Sequence, residues 1–144
     1  MVGNRVFKID IDIRFRDLDA RGHVNNAVYF TYFEHGRWRF YNSVLHKHTL
    51  SEITFILART SCNFVTPITI SDRPLLQLRV KEIGSKSVAL EYQLVSSSDA
   101  AIIYATGKSV QVCFDYQKNA SMPISKEIRA QFSKYLKDET AEAG

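Results

Sequence analysis

Hydrophobic and charged residues alternate strictly over the first part of the chain. The apolar positions are Phe7, Ile9, Ile11, Ile13 and Phe15, and the charged positions between them are Lys8, Asp10, Asp12, Arg14 and Arg16. Successive side chains of a strand point to opposite faces of its sheet. The pattern therefore predicts a half-buried strand over residues 7–16.

Further along, apolar residues recur at steps of three and four, which is the period of an α-helix. The predicted buried stripe is Tyr29, Phe33, Gly36, Phe40 and Val44, widened by Phe30 and Tyr41. This predicts an amphipathic, aromatic-rich helix from about Asn26 to Leu45. A glycine on the inner face costs about 1 kcal/mol of helix propensity. We therefore expect Gly36 to mark a close approach between helix and sheet.

The second half of the chain reads as strands joined by short polar turns. The predicted strands lie around Ile53 to Phe64, Leu75 to Ile83, Ser87 to Ser96 and Ala101 to Phe114. Such short links favour antiparallel neighbours. A short helix follows over about 125–138, with Ser125 as its N-cap. With 144 residues and no linker, the sequence predicts one α+β domain over 1–144.

Composition narrows the class of protein. The chain is 45% hydrophobic with a net charge of +4, which fits a globular protein with a weak preference for anionic partners. The basic residues are scattered, so we predict no nucleic-acid partner. No apolar run approaches the ~20 residues that span a bilayer, so we predict no membrane partner and a cytoplasmic location. Cys62 and Cys113 are far apart, which favours buried free thiols in a reducing compartment.

Candidate chemistry is concentrated between the first strand and the long helix, in the segment Asp17-Leu18-Asp19-Ala20-Arg21-Gly22-His23-Val24-Asn25-Asn26. Backbone N–H groups at a helix start lack intrahelical partners and lie at the positive end of the helix dipole. They could polarise a carbonyl oxygen. A nearby carboxylate could then act as nucleophile or as general base, and the residues leave both roles open. Asp, Asn and Gly are also common turn and cap residues, which is the structural alternative.

A metal site is not predicted. The loop from Asp17 to Gly22 is superficially similar to a calcium loop, but Arg21 and Val28 stand where such a loop needs oxygen ligands. The pair His46 and His48 lacks the cysteine or carboxylate spacing of a zinc site.

The segment Asp19 to Asn26, followed by Tyr29, Tyr32-Phe33-Glu34 and Arg37, resembles the signature of the 4-hydroxybenzoyl-CoA thioesterase family. Asn63-Phe64 with Pro67 and Asp72 resembles the family's second-strand pattern, and Ile83-Gly84-Ser85-Lys86-Ser87 its third hairpin. The resemblance covers about residues 5–115. It implies the hotdog fold, in which a curved antiparallel sheet of about five strands wraps around one long helix.

The resemblance also implies an activity, which is hydrolysis of small or medium acyl-CoA, aliphatic or aromatic, to the free acid and CoA. Asp19 occupies the catalytic aspartate position, and the backbone N–H of Asn26 occupies the carbonyl-polarising position. Family relatives work as homodimers or homotetramers with the site between subunits. No cofactor is implied beyond the coenzyme A of the substrate. An acyl carrier protein thioester and a non-catalytic acyl-CoA-binding module remain alternatives.

Six further residues are candidates for substrate binding, each with a structural alternative. His23 and Asn25 could orient substrate or hold the loop and cap the helix. Tyr29 could line an acyl tunnel or belong to the core. Glu34 could lie at the inner end of the acyl pocket or form an ion pair with Arg37. Lys86 and Ser87 lie at a hairpin. Their ammonium and hydroxyl groups could bind the CoA phosphates or be solvated.

Overall fold

A computed structural model describes residues 2–138. Its elements, in chain order, are β1 (Phe7–Asp10), α1 (Val28–Ser43), β2 (Phe55–Phe64), β3 (Pro74–Ile83), β4 (Ser87–Ser96), β5 (Ile103–Asp115), β6 (Ala120–Ser121) and α2 (Lys126–Ser133). Two 3-10 turns, Phe15–Asp17 and Leu50–Glu52, precede α1 and β2. Apart from the two-residue β6, the order of strand, long helix, four strands and short helix is as predicted.

All strands belong to one antiparallel sheet with the order β1-β3-β4-β5-β2, and the two-residue β6 pairs with β5. Long helix α1 lies against one face of this sheet. The strands turn alternate apolar residues toward it, because neighbouring side chains of a strand point to opposite faces. On β3 and β4 these inner residues are Leu76, Leu78, Val80, Val88, Leu90, Tyr92 and Leu94, all buried.

Aromatic rings fill the space between α1 and the sheet. The ring of Phe33 stacks on that of Tyr92, with centroids 4.5 Å apart, and Phe40 stacks on Phe132 of α2 at 6.0 Å. The stripe predicted from the helical period is buried at every position. Gly36 meets the expectation of a close approach, because a Cβ there would collide with the side chain of Leu76 on β3.

Several predicted boundaries are wrong. The first strand ends at Asp10, because its partner β3 begins at Pro74 and the last paired residues are Asp10 and Leu75. The chain beyond turns away, and Phe15 is 85% exposed although the alternation predicted it to be buried. Helix α1 is two residues shorter at each end than predicted, and α2 ends at Ser133 rather than near position 138. The short strand β6 was not predicted.

The C-terminal helix begins where its sequence indicated. The Ser125 hydroxyl accepts a hydrogen bond from the N–H of Ile128, which confirms Ser125 as the N-cap.

Cys62 is half-buried and Cys113 buried, and both are free thiols as predicted. Within residues 2–138, no helix is long and apolar enough to cross a membrane. The cytoplasmic location and the single domain over 1–144 stay predictions.

Candidate active site

Backbone hydrogen bonds hold the loop between β1 and α1 in shape, and Val24 packs into the core. The N–H of Asp19 donates to the carbonyl of His23 at 2.7 Å, and the N–H of Gly22 donates to the carbonyl of Asp19 at 3.0 Å. Gly22 has φ of 79°, a left-handed conformation that costs glycine little and other residues more. A bridge between His23 and Thr69 ties the loop to the segment before β3. The loop is therefore exposed yet defined in shape.

Asp17 anchors this loop to α1. Its carboxylate is 2% exposed and accepts hydrogen bonds from the Tyr32 hydroxyl at 2.8 Å and from the Arg14 N–H at 2.9 Å. The Arg14 guanidinium lies 3.2 Å from its other oxygen. Burial opposes ionisation of Asp17, but these hydrogen bonds and the Arg14 charge outweigh it and lower the pKa of the carboxyl. This geometry is the one expected of a residue that ties down the turn.

Asp19 is exposed at the tip of the loop. Its Oδ1 accepts hydrogen bonds from the backbone N–H groups of Arg21 at 2.9 Å and His23 at 3.1 Å. Those two bonds favour the charged form and hold the pKa of Asp19 below its ordinary value of 3.8. Among the residues that the structure describes, none donates to Oδ2. Asp19 thus presents an ionised carboxylate with one oxygen available for chemistry.

Asn25 and Asn26 lie in the turn that leads into α1. The Asn25 side-chain oxygen accepts a hydrogen bond from the N–H of Ala27 at 2.9 Å, and its carbonyl accepts from the N–H of Val28 at 2.9 Å. Asn25 therefore closes the turn that leads into α1, whose N-cap residue Ala27 has no side-chain cap. The backbone N–H of Asn26 has no acceptor within residues 2–138, and no acidic residue stands in the first turn of α1. An uncompensated N–H is thus available at the positive end of α1.

Helix α1 runs away from this loop beside β2. The two elements are antiparallel neighbours, because Tyr29 meets Phe64 at one end, with ring centroids 4.9 Å apart, and Tyr41 stacks on Phe55 at the other, at 5.9 Å. Tyr29 is buried in this packing, so its ring forms part of the core at the end of α1 nearest the loop.

Further along α1, between the helix and the sheet, lies a cavity of about 200 Å³. We call it the distal cavity and define it by its lining residues, Glu34, Arg37, Trp38, Tyr41, Leu50, Ile53, Phe55, Leu57 and Gln111. Glu34 stands exposed at its edge. The expected ion pair between Glu34 and Arg37 is not formed, because Arg37 turns inward and donates to the Tyr92 hydroxyl at 3.1 Å.

Lys86 and Ser87 lie at the other end of the sheet from Asp19. The loop leaves β1 where Asp10 pairs with Leu75, whereas the hairpin of Lys86 follows Ile83. At about 3.3 Å per residue, these ends of β3 are roughly 26 Å apart. One chain therefore does not bring these residues beside Asp19, and their contact with CoA phosphates stays a prediction.

The sequence reading missed a buried polar group beneath α1. Ser109 and Gln111 lie on the inner face of β5, and their side chains bond to each other. Ser109 also bonds to the Tyr92 hydroxyl, which connects them to Arg37. The signal was present, because both polar residues occupy positions of the strand pattern that should be apolar.

The absence of a cofactor and of a metal stays a prediction. In the described part of the chain, no three His, Cys, Asp or Glu side chains are grouped so that they could hold a metal ion.

Comparison with known proteins connects this geometry to a family. Residues 13–132 match the family model described as the thioesterase-like superfamily. The chain is 26% identical over 129 residues to the long-chain acyl-CoA thioesterase FadM of Escherichia coli, covering 88% of this chain and 97% of FadM. It is 23% identical to the acyl-acyl carrier protein thioesterase ATL3 of Arabidopsis thaliana, covering 93% of this chain and 71% of ATL3.

A solved structure shows the same similarity in three dimensions. A Thermus thermophilus thioesterase complexed with coenzyme A and Zn superposes with a TM-score of 0.76 at 29% identity, covering 87% of this chain and 95% of that one. The expected hotdog architecture is thereby confirmed. The chain belongs to the thioesterase-like superfamily and is a thioester hydrolase.

Proposed function

We propose that this protein hydrolyses acyl-CoA thioesters to the free acid and CoA, with Asp19 as the catalytic carboxylate. One observation carries the proposal. A single loop presents an ionised carboxylate with an available oxygen together with the unpaired backbone N–H of Asn26 at the start of α1. A reaction in which a carbonyl becomes an oxyanion needs both groups. The likeness to FadM and to the CoA-bound Thermus thioesterase supports CoA as the thiol half of the substrate.

Two routes use these groups. In the first, an Asp19 oxygen bonds to the thioester carbon, the C–S bond breaks, the CoA thiolate leaves, and water then hydrolyses the resulting anhydride. In the second, Asp19 takes a proton from water, whose oxygen attacks the same carbon as the thiolate leaves. In both, the Asn26 N–H stabilises the developing oxyanion and His23 and Asn25 keep the loop in shape.

We propose that the acyl chain starts at the Asp19 loop and lies along α1 beside β2, where Tyr29 packs against Phe64. Within the described residues, β2 pairs on one side only, so its other edge is open. We propose that a second copy of the chain covers this edge in a homodimer or homotetramer, and that Lys86 and Ser87 of that copy bind the CoA phosphates.

The test is release of free thiol from a panel of aliphatic and aromatic acyl-CoAs. We expect turnover by the native chain and a loss of at least about a hundredfold in kcat for Asp19→Asn. Asp12→Asn is the matched control, since Asp12 is also exposed and lies in the same loop but before the turn from Asp19 to Asn26. If the Asp19→Asn variant hydrolyses acyl-CoA at the native rate, this mechanism is wrong.

Isotope labelling can identify the first route. In H₂¹⁸O under single-turnover conditions, water attack on the Asp19 carbonyl of an anhydride leaves label in the peptide that carries Asp19, which the general-base route never does. Water attack on the acyl carbonyl of the anhydride labels the released acid alone, as the general-base route does, so only label in the peptide decides between the routes.

A carrier-protein thioester is the second candidate, favoured by the likeness to ATL3. The net charge of +4 also suits an acidic partner. Comparing kcat/KM for one acyl group on CoA and on acyl carrier protein decides between the two. A non-catalytic module would bind acyl-CoA with no thiol release.

A further inference from the structure

The distal cavity has one polar atom that its surroundings leave unsatisfied. Gln111 is 1% exposed, and its Nε2 donates to the Ser109 hydroxyl, but its Oε1 has no hydrogen-bond partner within residues 2–138. A buried acceptor that is left unpaired destabilises the fold, because it has given up its hydrogen bonds to water. If the cavity bound only the hydrocarbon end of an acyl chain, leucine would suit position 111 better than glutamine. The carboxamide therefore fits a ligand that donates a hydrogen bond.

Two charged groups narrow the choice of ligand. Arg37 is 7% exposed and uses one of its five N–H donors on Tyr92, so donors remain for an oxygen acceptor in the cavity that it lines. Glu34 places a carboxylate at the cavity edge. A ligand carboxylate would meet both Glu34 and the Gln111 oxygen, which repel it. A hydroxyl can donate to Gln111 and accept from Arg37 at once.

The cavity lies within reach of the reacting carbonyl. Glu34 and Arg37 follow Asn26 by eight and eleven positions. At about 1.5 Å per residue along a helix, they are roughly 12 to 17 Å from the carbonyl-polarising N–H. Because C–C bonds of about 1.5 Å zigzag, an extended chain advances roughly 1.25 Å per carbon, so on the order of ten to thirteen carbons cover this length.

We infer that the distal cavity binds a hydroxyl at the far end of the acyl chain, so that the substrate class is medium-chain acyl groups hydroxylated at or near the end distant from the thioester. The hydroxyl donates to Gln111 Oε1 and accepts from Arg37. This inference rests on the proposed acyl-CoA hydrolysis. It makes Gln111 a specificity-determining residue for that reaction.

The test compares three substrates of the same length, dodecanoyl-CoA, its terminal hydroxy derivative and its terminal carboxy derivative. We expect kcat/KM for the hydroxy substrate to exceed that for the unsubstituted one by at least about fivefold, the size of one added buried hydrogen bond. The carboxy substrate should be the poorest. Gln111→Met keeps the length of the side chain and removes its oxygen, so the hydroxy preference should fall to about one.

Two further variants complete the design. Gln93→Met, the same change on the outer face of β4, should leave the preference as it is. Glu34→Gln, at an exposed position, should raise kcat/KM for the carboxy substrate several-fold. This variant tests the cavity assignment if Gln111→Met fails to fold. Equal kcat/KM for hydroxy and unsubstituted substrates in the native protein would overturn the inference while leaving acyl-CoA hydrolysis intact.

Binding separates this inference from the proposed function. Should no acyl-CoA be hydrolysed, uncleavable S-dodecyl-CoA and S-(12-hydroxydodecyl)-CoA can be compared by calorimetry. If the hydroxy thioether binds more tightly than S-dodecyl-CoA and Gln111→Met abolishes this difference, the cavity assignment is supported without turnover. Equal binding rejects it.

Discussion

The Tyr32 hydroxyl donates a 2.8 Å hydrogen bond to the buried carboxylate of Asp17, fifteen positions earlier in the chain. Tyr32 lies on α1 and Asp17 at the start of the loop that carries Asp19. This bond therefore fixes the loop relative to the helix whose N-terminal end supplies the Asn26 N–H. Burial and the Asp17 charge raise the pKa of Tyr32, so its hydroxyl remains a donor throughout the neutral range.

Removing that donor should weaken the fold in a pH-dependent way. We expect Tyr32→Phe to lower the free energy of unfolding by about 1–2 kcal/mol at pH 7, because a buried ionised carboxylate loses a partner. The pKa of Asp17 lies below 3.8 in the folded state, so its stabilising contribution is complete above that pH and is lost as the pH falls further. Urea denaturation should give the same difference at pH 7 and pH 5, and a smaller one below about pH 4. Tyr116→Phe, at a ring 63% exposed, is the control.

The pH dependence of hydrolysis tests the state of Asp19. Because hydrogen bonds from Arg21 and His23 lower the pKa of Asp19 below 3.8, the free enzyme already carries the reactive carboxylate at pH 5. We expect kcat/KM to be flat from pH 7 down to pH 5, with any acid loss falling below about pH 4. An acid limb centred near pH 6 would contradict this expectation.

Gly107 on β5 should tolerate no side chain. A Cβ at this position would collide with the ring of Phe33, which is fully buried and stacked on Tyr92. We expect Gly107→Ala to destabilise the protein by about 1–3 kcal/mol, the usual cost of overpacking a core. Thermal unfolding measures it. Thr106→Ala, next along the strand but on the outer face, should change the melting temperature far less.

The open edge of β2 should be an interface. It exposes apolar side chains at Ile56, Leu57, Phe64 and Val65, which a lone edge strand ordinarily avoids. Light scattering should give a mass of at least twice 16.5 kDa. Ile56→Lys should shift the protein toward the monomer and lower its activity, whereas Ile102→Lys, an exposed change on the β4–β5 connection, should not. A native monomer with full activity contradicts this expectation.

Much of the fold could be predicted because it follows from local periodicity. The span of β4 and the Ser125 cap were predicted to the residue, and the buried stripe of α1 at every position. The predictions failed where an element's limits depend on the strand with which it pairs. Phe15 continues a perfect alternation, yet it cannot be in a strand because β3 has no residue left to pair with it.

The candidate site was predictable only in part, for a similar reason. Asp19, Asn25 and Asn26 are close in sequence, so one loop necessarily brings them together. Gln111 is some eighty-five positions after Asn26, and only the pairing of β5 with β2 and the packing of α1 place it in a cavity with Glu34.

The sequence by itself determined which segments form helix and strand and which loop carries the polar groups, because these depend on near neighbours along the chain. Tertiary structure alone decided that Arg37 turns to Tyr92 rather than to Glu34 and that Lys86 lies far from Asp19. It also decided that Gln111 is buried with an unpaired oxygen. Each of these depends on which distant residues the sheet brings beneath the helix, and pattern along the chain carries no record of that.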